Sequence, residues 1–111
     1  MTYNKKSTRY YSERQEKKIA RAVNGRVVPN SGAITFGAGD VTTDNWLFEA
    51  KTCTTTKKSF SIKREWIDKN REEAFAMGKD YNALVIDFGD GEQFYLLDEK
   101  TFLDLKNNSC V

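Results

Sequence analysis

Two acids and a lysine are brought together by the segment Gly39-Asp40-Val41 … Trp46-Leu47-Phe48-Glu49-Ala50-Lys51. Val41 to Thr43 and Trp46 to Lys51 read as short strands, because β-branched and aromatic residues dominate them. Asp44-Asn45 between them suits a two-residue hairpin turn, since both residues tolerate positive φ. That turn pairs Thr43 with Trp46, Thr42 with Leu47, Val41 with Phe48 and Asp40 with Glu49. Directly opposed side chains on a hairpin have Cβ atoms roughly 5 Å apart, and like charges there repel. The two-residue period of a strand puts Lys51 on the face of Glu49. A divalent cation relieves the repulsion between the acids, and carboxylate oxygens are the ligands Mg²⁺ prefers. Such a patch suits metal-assisted hydrolysis of a phosphodiester, with the lysine orienting the attacking water or stabilising charge in the transition state. The same three residues also fit a cross-strand salt-bridge set on a solvated sheet face.

The elements that must position this patch follow from the rest of the chain. Its 111 residues make one domain with a modest core. Ser12 is placed to cap a helix running to about Val23, with Gln15 completing a capping box. Glu16, Ile19, Ala20 and Val23 recur at helical spacing, which sets Glu16 on or beside the buried stripe; it is either a surface charge of the helix or a third carboxylate reaching the patch through water or a second metal. Glu13, one turn earlier, competes for that role. Asn24-Gly25 ends the helix, and Arg26 to Val28 is a short strand or an extended link. Pro29 to Ala33 is a turn in which Ser31 and Gly32 offer a hydroxyl and a close-approaching backbone to a phosphate. Ser59 or Ser61 is expected to cap a second helix, about 62–77, with Ile62, Trp66, Ala74 and Met77 as apolar positions and Gly78 as its stop. Ala83 to Phe88 is nearly all apolar, the mark of an interior strand. Gly89-Asp90-Gly91 turns the chain into a strand from Gln93 to Leu97, and Asp98 caps a last short helix. The order is helix, strands, helix, strands, helix, which predicts an α/β fold.

Composition narrows the chemistry. With no histidine, Ser-His-Asp and Cys-His nucleophile systems and most zinc sites are excluded. Cys53 and Cys110 have no CxxC partners and read as free thiols of a reducing cytoplasm. No apolar run reaches the length of a membrane span, and the polar N-terminus lacks the apolar core of a secretory signal. Charge is graded along the chain. Residues 1–28 carry eight basic side chains against two acidic ones, a net of +6, whereas 80–111 carry two against seven, a net of −5. The basic first quarter, with residues 1–11 as a flexible tail, suggests a polyanionic partner. Lys5, Lys6, Arg9 and Arg14, together with Lys57 and Lys58, are the phosphate-gripping candidates; Tyr10, Tyr11 and Trp66 offer rings to bases, although Trp66 suits a core position better.

The combination is more specific than its parts. An early helix with an acid (Gln15-Glu16-Lys17-Lys18-Ile19-Ala20) precedes Pro29-Asn30-Ser31-Gly32-Ala33 and Gly39-Asp40-Val41. A strand ending Phe48-Glu49-Ala50-Lys51-Thr52 comes next, then Lys58-Ser59-Phe60-Ser61-Ile62 and a tryptophan-bearing helix. This order resembles the PD-(D/E)XK nuclease superfamily, and within it the archaeal-type Holliday junction resolvases and their small bacteriophage relatives. The resemblance covers about residues 12–105. It implies a restriction-endonuclease-like core, a mixed central sheet flanked by helices, with 12–111 as the nuclease domain and a two-fold dimer as the usual assembly. It also implies metal ligation by Asp40, Glu49 and the Ala50 carbonyl, Lys51 as the catalytic lysine, Glu16 as the acid of the first helix and Ser31 as a serine beside the site. The expected activity is Mg²⁺-dependent (or Mn²⁺-dependent) cleavage of branched DNA, most of all Holliday junctions, in the cytoplasm of a bacterial host if the chain is phage-encoded. Gly39 stands where the name-giving motif has proline, as is common in this branch; the tract from Ser31 to Asp40 is short, so the junction-gripping loop differs and a less selective, restriction-like nuclease is the alternative. A catalytically silent DNA-binding module of the same fold is the third possibility.

Overall fold

The computed structural model describes residues 8–28 and 39–108. Its elements are α1 (Thr8–Val23), β1 (Arg26–Val27), β2 (Gly39–Thr42), β3 (Trp46–Thr52), α2 (Arg64–Ala76), β4 (Tyr81–Asp87), β5 (Gln93–Leu96) and α3 (Glu99–Asn107). The strands form a single mixed sheet in the order β1-β2-β3-β4-β5. All neighbouring pairs are antiparallel except β3 and β4, which run parallel and are joined through α2. A parallel pair needs a crossover of this kind, because a tight turn cannot reverse the chain twice. The expected α/β architecture, a mixed sheet flanked by helices, is therefore the one the chain adopts.

Alternation along β3 separates the two faces of the sheet. Phe48 and Ala50 pack with Val41, Ala83, Val85 and Ile19 of α1 in the buried core. Leu47 and Glu49 point to the opposite face, where α2 lies; the buried Asn70 of α2 donates to the Leu47 carbonyl (3.5 Å) and accepts from the Asn82 amide (2.8 Å). β4 is covered on both faces, which is why its sequence is nearly all apolar.

The hairpin pairs as expected, with Asp40 opposite Glu49, Val41 opposite Phe48 and Thr42 opposite Leu47. Its turn is made differently. Among the described residues only Asn24 is a non-glycine with positive φ, so Asp44 and Asn45 keep negative φ. The Thr43 hydroxyl closes the loop instead, accepting from the backbone N–H groups of Asn45 (3.3 Å) and Trp46 (3.1 Å). After α1 the left-handed residue is Asn24 (φ 58°). Gly25 passes so close to β2 that a Cβ there would meet the Thr42 carbonyl at 2.5 Å.

Two helix starts differ from expectation. α1 begins at Thr8, one turn before Ser12, so residues 8–11 belong to the helix rather than to a tail. The extra turn is carried by i,i+4 pairs, Arg9 with Glu13 (3.2 Å) and Arg14 with the Tyr10 hydroxyl (3.2 Å). Ser12 and Gln15 are thereby interior helical residues, both buried, and form no capping box. α2 begins after Lys63, which makes no side-chain cap, and not at Ser59 or Ser61. The Phe60 ring packs edge-on against Phe88 (5.8 Å) and Trp66 (6.3 Å), tying the preceding segment to the sheet instead of letting it coil. Ile62 and Met77 consequently flank the helix and are exposed. Gly78 (φ 72°) stops α2 and Asp98 caps α3 by accepting from the Thr101 N–H (2.8 Å), as the sequence indicates. No helix among the described residues is long and apolar enough to cross a membrane.

Candidate metal centre

Asp40 is donated by β2 and Glu49 by β3, through the hairpin register. Lys51, two residues along β3, shares their face and places its Nζ 3.2 Å from Glu49 Oε2. The ammonium also lies 4.4 Å from the centre of the Trp66 ring, a cation–π contact made by the first turn of α2. Lys51 is thus clamped between a carboxylate and an indole, and Trp66 is half-buried beneath it.

Glu49 is 1% exposed, and while its Oε2 is engaged by Lys51, its Oε1 has no hydrogen-bond partner among the described residues. An unsatisfied carboxylate oxygen at that depth costs on the order of 1–3 kcal/mol or more. A cation is the simplest group to satisfy it. The acids of the group fit one: Asp40, Glu49 and Glu73 each bring a carboxylate oxygen within 4.8 Å of the others. Ala50, whose carbonyl is the third expected donor, sits opposite Gly39 at the last pair of the β2–β3 ladder, next to Glu49.

The crowding of charge appears in the Asp40 carboxyl, which is pushed up to about 7. Burial is the largest cause, followed by repulsion from Glu49 and Glu73; Lys69 pulls the other way, and Glu16 adds the weakest push. Glu16 itself is buried and raised to about 7, by burial first and then by Glu13, with Arg9 opposing. It is the buried acid of α1, whereas Glu13 is exposed and paired with Arg9. Helix α1 covers the opposite face of the sheet, however, so Glu16 is not one of the three acids that converge.

The residue that does converge, Glu73, was not among those expected. It lies on α2, seven residues after Trp66 and hence on the same helical stripe. An acid on a stripe shared with Trp66 and the buried Asn70 is the signal that marks it. Lys69, one turn before Glu73, pairs with it (3.5 Å). Gln15 is a second residue whose role the spacing does not mark. The two N–H groups of its side-chain amide are shared among the carbonyls of Lys51 (3.1 Å) and Val85 (3.0 Å) and Gln93 Oε1 (3.0 Å), tying α1 to the end of β3 where Lys51 stands.

The basic candidates are spread over the surface. Arg9 and Arg14 are exposed on α1, and Lys57 and Lys58 lie exposed in the loop between β3 and α2. Lys5, Lys6, Ser31 and Cys110 lie outside the described residues; Cys53 is a free thiol. Comparison with protein-family models, curated proteins and solved structures finds no match for the chain.

Proposed function

We propose that this chain is a Mg²⁺- or Mn²⁺-dependent endodeoxyribonuclease of the PD-(D/E)XK type that nicks branched DNA, four-way junctions in particular. The observation that carries the reading is the buried Glu49 with one oxygen unsatisfied, set directly opposite Asp40 and beside Lys51. A salt-bridge set on a solvated sheet face, the plainer reading, leaves no reason to bury Glu49 or to strand one of its oxygens. Asp40 and Glu49 would hold the cation, with the Ala50 carbonyl beside them. When bound, the cation polarises a phosphoryl oxygen and lowers the pKa of its water. Lys51, oriented by Glu49 and the Trp66 ring, would position that water or meet charge developing on the phosphate. Arg9, Arg14, Lys57 and Lys58, with Lys5 and Lys6, would grip backbone phosphates and so read the shape of the DNA rather than its bases. A two-fold dimer would set two such sites against opposing strands of a junction.

The test is incubation of labelled four-way, flap and linear DNA with the protein, with and without Mg²⁺. The reading expects metal-dependent nicking of the junction, abolished by Asp40→Asn and by Glu49→Gln while junction binding survives. Equal cutting of linear duplex assigns a less selective nuclease. Binding without cutting under any divalent cation assigns the silent module.

A further inference from the structure

We propose that α2 completes this centre with a third carboxylate ligand, Glu73, and guards it with a counter-ion, Lys69, that pairs with Glu73 until a divalent cation replaces it. The inference rests on the Asp40–Glu49 pair being a metal site and adds to it a ligand and a means of control.

The geometry that supports it comes from a separate element. Asp40 and Glu49 are neighbours because of the hairpin register. Glu73 reaches them from the crossover helix, and its carboxylate oxygen lies within 4.8 Å of both of theirs. Nothing in the hairpin requires a third acid there, and three carboxylates in one small volume repel unless something positive stands among them. Lys51 is committed to Glu49 and Trp66. Lys69 brings a second ammonium, 3.5 Å from Glu73 Oε2. Its pairing with Glu73 sets its ammonium beside the cluster that Glu73 forms with Asp40 and Glu49.

The buried, unpartnered Glu49 Oε1 shows that the lysines do not complete the site. Lys69 is on a long, half-exposed side chain and can swing into solvent at little cost. Glu73, released from it, can turn its oxygen onto an ion shared with Asp40 and Glu49. An ordinary i,i+4 pair on a helix surface would be indifferent to the ion. Here Lys69 competes with the ion directly, so its removal has the opposite effect from removal of Glu73.

The experiment is calorimetric titration of the metal-free, full-length protein with Mn²⁺, with circular dichroism to verify each fold. Glu73→Gln is expected to weaken Mn²⁺ binding by at least about tenfold, and Glu73→Asp, which keeps the charge but shortens the reach, to weaken it as well. Lys69→Met is expected to tighten binding by about three- to tenfold. Glu73 variants that bind Mn²⁺ like wild type, while Asp40→Asn does not bind it, would overturn the third ligand alone. Unchanged or weaker binding by Lys69→Met would overturn the counter-ion. Unchanged binding by Asp40→Asn would instead refute the underlying metal site.

Discussion

Asp40→Asn should make the metal-free protein more stable, although it removes a residue of the proposed active centre. The Asp40 carboxyl is held at about 7 against an ordinary 3.8, chiefly by burial and then by Glu49 and Glu73. A folded-state pKa above the unfolded one means that the native state binds the extra proton between those two values. Stability is therefore fully present at low pH and is lost as pH rises from about 4 to about 7. Each pH unit is worth about 1.36 kcal/mol, so a shift of roughly three units sets a ceiling of about 4 kcal/mol. Asp40 is only partly enclosed, and solvent screening brings the expected value down to about 1–3 kcal/mol. Asparagine keeps the shape and removes the charge. Urea denaturation in the presence of a chelator should find the variant more stable by that amount near pH 8, about 4–8 °C in Tm per kcal/mol, with the difference vanishing near pH 4. Mg²⁺ at a hundredfold excess over Kd should shift the difference by about 2.7 kcal/mol toward wild type, since only wild type gains the binding free energy. An Asp40→Asn protein with the wild-type pH profile, or one less stable near pH 8, would refute the claim that these acids crowd one another.

Other outcomes follow from neighbouring contacts. Lys51→Ala should slow junction cleavage by about 10²-fold or more while changing Mn²⁺ affinity little, which single-turnover assays and calorimetry separate. Gln15→Leu leaves the Lys51 and Val85 carbonyls without their donor and should cost about 1–3 kcal/mol in chemical denaturation. Asp98→Ala removes the α3 cap and should cost about 1 kcal/mol at neutral pH. The Asp98 carboxyl is held below its ordinary value, first by the Thr101 N–H. Its contribution is therefore present above the unfolded pKa and lost as pH falls through the folded one, so the variant's deficit should shrink in acid.

What the sequence reveals of this protein is mostly what is local. The register of Asp40 against Glu49 follows from a short turn between two strands rich in β-branched and aromatic residues, and the apolar run of β4 announces an interior position. The same reasoning misplaces the start of α1, because Arg9–Glu13 and Tyr10–Arg14 pairs outweigh the capping chemistry of Ser12. It misplaces the start of α2 because Phe60 is held by the rings of Phe88, just past β4, and Trp66 of α2. The site shows the same division. Asp40, Glu49 and Lys51 come together through one hairpin and could be read from it. Glu73 and Lys69 arrive only with the crossover helix, and Glu16 stays outside the group of three acids because α1 packs on the far face. Neither outcome is written in the spacing around the acids themselves.

The most direct test of the account is anomalous diffraction from crystals soaked in Mn²⁺. A single strong peak per chain is expected between the carboxylates of Asp40 and Glu49, about 2.1 Å from an oxygen of each, with Glu49 Oε1 as a ligand. Well-ordered carboxylates with no peak between them, at a Mn²⁺ concentration that supports binding in solution, would contradict it.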